Sequence, residues 1–235
     1  MTRPFYLDHP TILELEVDVL DARPGAVLIE RSPFFPGGGG QLADRGHIRW
    51  SGGSTPIKEL AWDERGLWHV FEGEAEAHGR VVLAVDPVFR ALMCELHTLA
   101  HVVNALVYTR FGALLTGAQL GADGSFRIDV DLPGIDNDAL RALEGPLNEV
   151  IRADLPVGAS FMPYDEAQAV PGLFRSKAVA PPPDEDGLVR IVEIAGLDRQ
   201  ACGGMHLSST GQARPARIVK IDNKGRQNRR IKVSV

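Results

Sequence analysis

The spacing of apolar residues changes character once along this chain. Up to about residue 85 it has the period of β-structure. Leu13-Glu-Leu-Glu-Val-Asp-Val-Leu20 alternates apolar and acidic positions, which places one set of side chains on each face of a strand. Segments 26–29, 47–50, 67–71 and 80–85 are further short apolar runs, separated by clusters of Gly, Pro and Asp. Many short strands punctuated by turn residues predict a small barrel or sandwich. At Asp86-Pro87 the period becomes helical. Asp is a favoured N-cap and Pro a favoured first helical residue. Leu92, Leu96, Leu99, Val103, Leu106 and Val107 then recur on one stripe, and Gly112 is placed to end the helix. Residues 126–130 alternate again. Asp136 is expected to cap a second helix with Leu140, Leu143, Leu147, Val150 and Ile151 as its apolar stripe. Strands are expected over 159–162, 188–194, 216–221 and 230–235, with a loop at Pro181-Pro-Pro183. The predicted fold class is α+β: a small N-terminal β-barrel domain over residues 1–86, then an α+β domain over 87–235 with a sheet covered by helices on one face.

Composition narrows the setting. The chain has 235 residues, of which 44% are apolar, enough for a real core. Met-Thr-Arg-Pro-Phe is not followed by an apolar run, so no secretory signal is expected. No stretch reads as the roughly 20 apolar residues of a membrane span, and no membrane partner is expected. Two cysteines, Cys94 and Cys202, make no disulfide framework, and a free thiolate suits a reducing cytoplasm. The net charge of −6 argues against a general nucleic-acid binder, and no DNA partner is expected. The charge is uneven, however. Between Arg214 and Lys232 stand eight Lys or Arg against one acid, Asp222. Such a segment is either a directed contact with phosphates or a solvated edge strand.

The candidate chemistry lies in two short motifs about a hundred residues apart. His97-Thr-Leu-Ala-His101 puts two imidazoles one helical turn apart on one face. Cys202-Gly-Gly-Met-His206 repeats the four-residue spacing, with glycines that let backbone approach a centre closely. Each pair alone is weak, since packed or exposed histidines are common. Together His97, His101, Cys202 and His206 form a Cys/His3 set that suits one Zn2+ per chain. Cys94, three residues before His97, reads as a packing residue and only a minor competitor as a ligand.

A second unusual segment is Phe34-Phe-Pro-Gly-Gly-Gly-Gly-Gln41. Four glycines cost backbone entropy, so either a tight barrel turn or a close approach to a ligand requires them. In the second reading Gly38, Gly39 and Gly40 line the ligand and Gln41 offers its amide. No Lys-Ser/Thr follows, so this is no nucleotide P-loop. No Gly-x-Ser-x-Gly nucleophile motif occurs, so any enzymatic chemistry falls to the metal.

These motifs together resemble the free-standing alanyl-tRNA editing proteins of the AlaX family. That family is similar to the editing domain of alanyl-tRNA synthetase and, more distantly, of bacterial-type threonyl-tRNA synthetase. Leu96-His-Thr-Leu-Ala-His101 resembles its first metal motif, Gln200-Ala-Cys-Gly-Gly-Met-His206 its second, and Lys224-Gly-Arg-Gln-Asn-Arg-Arg230 its C-terminal signature. The glycine run followed by Asp44 and Gly46 resembles the motif of longer members, which carry an N-terminal barrel. Met205 stands where the family's motif has Thr. The resemblance implies ATP-independent, zinc-dependent hydrolysis of the ester of a wrong amino acid, chiefly serine, on tRNA(Ala). It implies a serine-sensing hydroxyl at Thr116, Gln41 and the glycine loop over the substrate, and Arg226, Arg229 and Arg230 against the acceptor end. The alternative is a non-catalytic module that binds tRNA or a synthetase and uses zinc structurally. The oligomeric state stays open.

Overall fold

The computed structural model describes residues 4–177, 180–225 and 227–235. The chain forms two compact units. One comprises Met1–Gly38 with Leu42–Ala91, the other Gly39–Gln41 with Leu92–Val235.

The first unit opens with a one-turn helix α1 (Phe5–Asp8), followed by β1 (Glu14–Arg23), β2 (Ala26–Ile29), β3 (Gly46–Trp50), β4 (Gly53–Asp63), β5 (Gly66–Phe71) and β6 (Arg80–Val85). The six strands close into a barrel in the order β1-β2-β5-β4-β3-β6, every neighbour antiparallel. Closure removes free sheet edges. The period-two pattern explains the lining: Val17 points into the core with Val27, Ile48, Phe71, Val81 and Leu83, and Leu13, Leu15 and Val19 pack against them. Glu14, Glu16 and Asp18 face water. Register shifts at Val19/Asp21 and Ile57/Glu59 bend β1 and β4 as barrel curvature requires. β4 is an addition to the predicted strands. It contains Pro56 and mixed polarity, which hide it from a period count.

A buried ion pair anchors the loop before β3. Asp44 accepts from Arg90 Nε at 2.9 and 3.0 Å and from Phe35 N at 2.6 Å, and Arg90 Nη2 also donates to Pro33 O at 2.7 Å. Asp44 of the glycine motif thus holds its own loop. Helix α2 (Pro87–Phe111) starts as predicted, with Asp86 Oδ1 accepting from Val88 N and Phe89 N. It ends at Gly112, whose φ of +67° suits glycine. By length and composition α2 would qualify as a membrane span, but 78% of its apolar window is buried within the protein, as in a core helix.

The second unit adds β7 (Leu115–Leu120), β8 (Ser125–Asp131), α3 (Asn137–Arg141), α4 (Glu144–Ala153), β9 (Val157–Pro163), α5 (Tyr164–Ala169), β10 (Leu188–Ile194), β11 (Asp198–Ala201), β12 (Arg217–Lys224) and β13 (Asn228–Ser234). They make two antiparallel sheets, β11-β10-β9 and β12-β13-β8-β7. The fold is therefore mixed α+β: a closed barrel in one unit, and two sheets with helices in the other. Asp136 caps α3 through Asp138 N. The single helix expected after it is broken into α3 and α4, and the reason is Pro146, which has no N–H to give and whose ring crowds the carbonyl four residues back. Asn148 and Glu144 of α4 bond the backbone of Ala216 and Ile218 at the start of β12. β7 and β11 were not predicted. Leu-Thr-Gly-Ala-Gln-Leu has no alternation, and β11 is only four residues long.

Buried His69 gives the barrel a pH dependence. It is fully buried beside Ser32, 2.7 Å from Nε2 to the hydroxyl, and burial pushes its pKa down to about 3. A folded value below the unfolded one means that stability is full above pH ~6.5 and falls as pH drops toward 3, by about 1.4 kcal/mol per unit. Urea unfolding at pH 7 and pH 5 should differ by about 2 kcal/mol more in the wild type than in His69→Gln. Equal pH dependence in the two proteins would remove His69 as the cause.

Candidate metal centre

Helix α2 sets His97 and His101 one above the other, their ring centroids 5.2 Å apart. The loop after β11 brings Cys202 and His206 to the same place. His206 stacks on His97 at 4.3 Å and lies 4.7 Å from His101. One donor atom from each of the four residues falls within 4.8 Å of all the others. Cys202 Sγ is 3.6 Å from His97 Nε2 and 3.4 Å from His206 Nε2. Tetrahedral zinc with Zn–N of ~2.05 Å and Zn–S of ~2.3 Å requires N–S edges of about 3.6 Å, which the two edges to Cys202 match. Cys94 is buried and lies outside the group.

The outer nitrogens show why the rings face inward. His97 Nδ1 lies 2.8 Å from Gln41 Oε1, His101 Nδ1 lies 3.1 Å from Asp198 Oδ2, and His206 Nδ1 lies 3.3 Å from Thr98 Oγ1. An acceptor on Nδ1 holds the proton there and leaves Nε2 with its lone pair toward the centre. Asp198 is itself held by Arg175 Nη1 and Gln200 Nε2, both at 2.7 Å, and Gln200 accepts from Asn104 at 2.9 Å. Arg175 lies over the Tyr108 ring at 4.3 Å.

The Cys202 loop is shaped by contact. A Cβ on Gly204 would fall 2.1 Å from His97 Cε1 and 2.8 Å from Gln41 Oε1, so no larger residue fits. Gly204 N–H points to Cys202 Sγ at 3.4 Å, and Arg190 Nη1 donates to the carbonyls of Cys202 and Gly204 at 3.0 and 2.8 Å. Gln41 Oε1 accepts a second bond from Met205 N at 2.9 Å. Gly40, at φ +91°, allows that reach: its backbone lies so close to Ala118 that a Cβ would meet Ala118 O at 2.5 Å, and its carbonyl accepts from Leu120 N. Gly38 and Gly39 also have positive φ but open surroundings, so conformation alone requires glycine there.

The electrostatics favour a cation at the centre. Burial raises the Cys202 thiol, but His97, His101 and His206 outweigh it and hold it well below the usual thiol value. Burial lowers His101, but the Cys202 thiolate and Asp198 push it up to about 10. Burial, with His97 beside it, drives His206 down to about 3. Without an ion the centre is a thiolate beside a protonated His101; a divalent ion would take the place of that proton and leave the imidazole neutral.

The other candidates fall elsewhere. Thr116 is in β7, beside a register shift, and its hydroxyl donates to Asn228 Oδ1 at 3.3 Å. Arg230 makes two 2.7 Å bonds to Asp129. Arg229 is buried, with 8% exposure. Arg226 lies outside the described residues. Asp198, Thr98, Gln200 and Arg175 are additions to the sequence reading. The only local hint was that Thr98 and Gln200 sit beside the ligand motifs.

Residues 189–232, which include Cys202 and His206, match the threonyl and alanyl tRNA synthetase second additional domain. The chain is 31% identical over 242 residues to alanyl-tRNA editing protein AlaX-M of Saccharolobus solfataricus, covering 100% of this chain and 99% of that protein. It is 33% identical over 216 residues to AlaX-M of Methanosarcina barkeri, covering 87% and 86% respectively. It also matches alanine–tRNA ligase of Korarchaeum cryptofilum at 33% identity over 92% of this chain, a region that is 24% of the ligase. Full-length coverage at this identity, with both ligand pairs on one centre, means that the chain belongs to the AlaX family of alanyl-tRNA editing proteins.

Proposed function

We propose that this chain is a trans-editing deacylase that hydrolyses the ester of mischarged Ser-tRNA(Ala), with Gly-tRNA(Ala) as a second substrate, at one zinc held by His97, His101, Cys202 and His206. The observation that carries the reading is the inward-facing donor set with every imidazole tied at Nδ1. Zinc bound there would polarise an ester carbonyl or acidify a water. The rest of the work belongs to the chain. Gln41 fixes His97 through Oε1, and its Nε2 is buried without a partner among the described residues. Thr116 supports serine sensing by its hydroxyl. A pocket built for alanine rejects serine weakly, so a second site that reads the hydroxyl restores fidelity. The basic segment carrying Arg226, Arg229 and Arg230 meets the acceptor end. A protein of this kind works in the cytoplasm, where aminoacyl-tRNA is found. One observation favours the non-catalytic reading: four protein donors complete a tetrahedral set, as structural zinc sites do. His101 and His206 each keep a little exposure, which supports access to the centre.

Purified protein should hold about one zinc per chain by elemental analysis. Cys202→Ala should lose zinc and deacylation together, and full occupancy in a His97→Ala/His101→Ala double variant would sink the site.

Asp198→Asn should weaken zinc binding about 10- to 100-fold in chelator competition, because the acceptor that orients His101 loses its charge. Unchanged affinity would show that the ring needs no such support.

The wild type should deacylate Ser-tRNA(Ala) much faster than Ala-tRNA(Ala). Thr116→Val should slow the serine reaction roughly two- to tenfold, the value of one neutral hydrogen bond, with the alanine reaction little changed. Equal wild-type rates would exclude selective editing.

A further inference from the structure

The three imidazoles of the centre are not equivalent. His97 and His101 lie within the long helix α2, whereas His206 lies in the irregular stretch between β11 and the short turn Thr210–Gln212. Their outer partners also differ in kind. Gln41 Oε1 accepts from Met205 N as well, which fixes it as the amide oxygen and so as an acceptor only. Asp198, held by Arg175 and Gln200, is a carboxylate and likewise only accepts. The partner of His206 is a hydroxyl. Thr98 is fully buried, one residue after His97. Its Oγ1 accepts from Leu207 N at 3.1 Å and lies 3.3 Å from His206 Nδ1.

A neutral imidazole carries one proton, on either nitrogen. Beside a partner that only accepts, the proton stays on Nδ1 and Nε2 is left bare toward the centre. His97 and His101 are therefore held in the ligating form. A hydroxyl has one proton and two lone pairs. Leu207 N–H uses one lone pair of Thr98, which leaves one acceptor site and one donor. Toward an Nδ1–H the hydroxyl accepts, and its own proton turns away, as helical threonines turn theirs to the carbonyl four residues back. Toward a bare Nδ1 it donates, and Nε2 then carries the proton on the side of Cys202 Sγ, 3.4 Å away. Thr98 thus satisfies His206 both as a ligand and in the form that has no lone pair to give at Nε2. We propose that His206 is the exchangeable ligand of the centre, with Thr98 as the residue that permits the exchange, while His97, His101 and Cys202 hold the ion throughout. Exchange breaks only the bond from the ion to Nε2. One proton leaves Nδ1 for water, one reaches Nε2 from water, and a small donor from solution takes the freed position; His206 keeps enough exposure for this. The proposal rests on the reading of the four residues as a zinc site, and it explains how a complete tetrahedral set admits an outside oxygen or nitrogen.

Azide, a small anion that takes one coordination position, tests this on the zinc-loaded chain. Proton–nitrogen correlation spectra of the histidine rings report which nitrogen carries the proton. With zinc alone, His97, His101 and His206 should all be protonated at Nδ1. With azide added, His206 alone should change to the Nε2–H form, and zinc should stay at about one per chain. A change at His97 or His101 instead, or no change at any ring, would overturn the exchange. Chelator competition gives a second reading: His206→Ala should keep zinc under conditions that strip His97→Ala, His101→Ala and Cys202→Ala, and equal loss from all four would overturn the proposal. Thr98→Asp makes the partner of His206 an acceptor only, so azide should leave that ring ligated, whereas Thr98→Ser should respond as the wild type does. A wild-type response in Thr98→Asp would remove Thr98 from the role. If Thr98→Asp does not fold, His206→Ala still decides, because it leaves Thr98 and the helix intact. Azide release of His206 in a chain that leaves Ser-tRNA(Ala) intact would keep the exchange and refute the editing reading. Serine deacylation with all three rings fixed would do the reverse.

Discussion

A single carbonyl oxygen, Gln41 Oε1, holds the candidate centre together. It accepts from His97 Nδ1 on the long helix and from Met205 N in the Cys202 loop, partners 56 and 164 positions away in sequence. One short side chain therefore sets the ring tautomer of one metal ligand and the path of the loop that carries two others. The glycines on both sides follow from it. Gly40 lets the chain pass against Ala118, and Gly204 leaves room for the imidazole and the amide together. A side chain at either place would have to move the backbone, and the inward lone pair of His97 would move with it.

The same economy of buried charge runs through the second unit. His101 needs a carboxylate, so Asp198 is buried; buried Asp198 needs cationic and amide donors, so Arg175 and Gln200 are there; Gln200 in turn uses Asn104. Each link satisfies a group that burial would otherwise penalise. The chain of bonds ends at helix α2 and ties His101 in place; such preorganisation would lower the ordering cost of binding an ion. Against this consistency the unpartnered groups stand out. The Nε2 of Gln41 and the Nε of Arg229 are buried donors with nothing to donate to among the described residues.

Much was legible in the sequence because much of it is local. Period-two alternation marked β1 and the barrel, and Asp86-Pro87 and Gly112 bounded α2, since caps and side-chain direction act within a turn or two. The i, i+4 spacing put His97 and His101 on one helical face. Where local rules were thin, the reading was thin: β7 and β11 lack alternation, and Pro146 divides a helix whose apolar stripe looks continuous.

Partnership was decided by tertiary structure alone. Nothing in Asp198-Arg-Gln-Ala shows that its first residue meets a histidine 97 positions earlier. Nothing in Arg229-Arg230 shows that Arg230 meets Asp129 while its neighbour Arg229 is buried. Their difference is one step of the β pleat, which sends neighbouring side chains to opposite faces, and which face is buried depends on what packs against the strand. The sequence by itself determined the ligand types, their local spacing and the strand and helix periods. The acceptors that orient the ligands depend on contacts between segments far apart in the chain, which only the folded packing brings together.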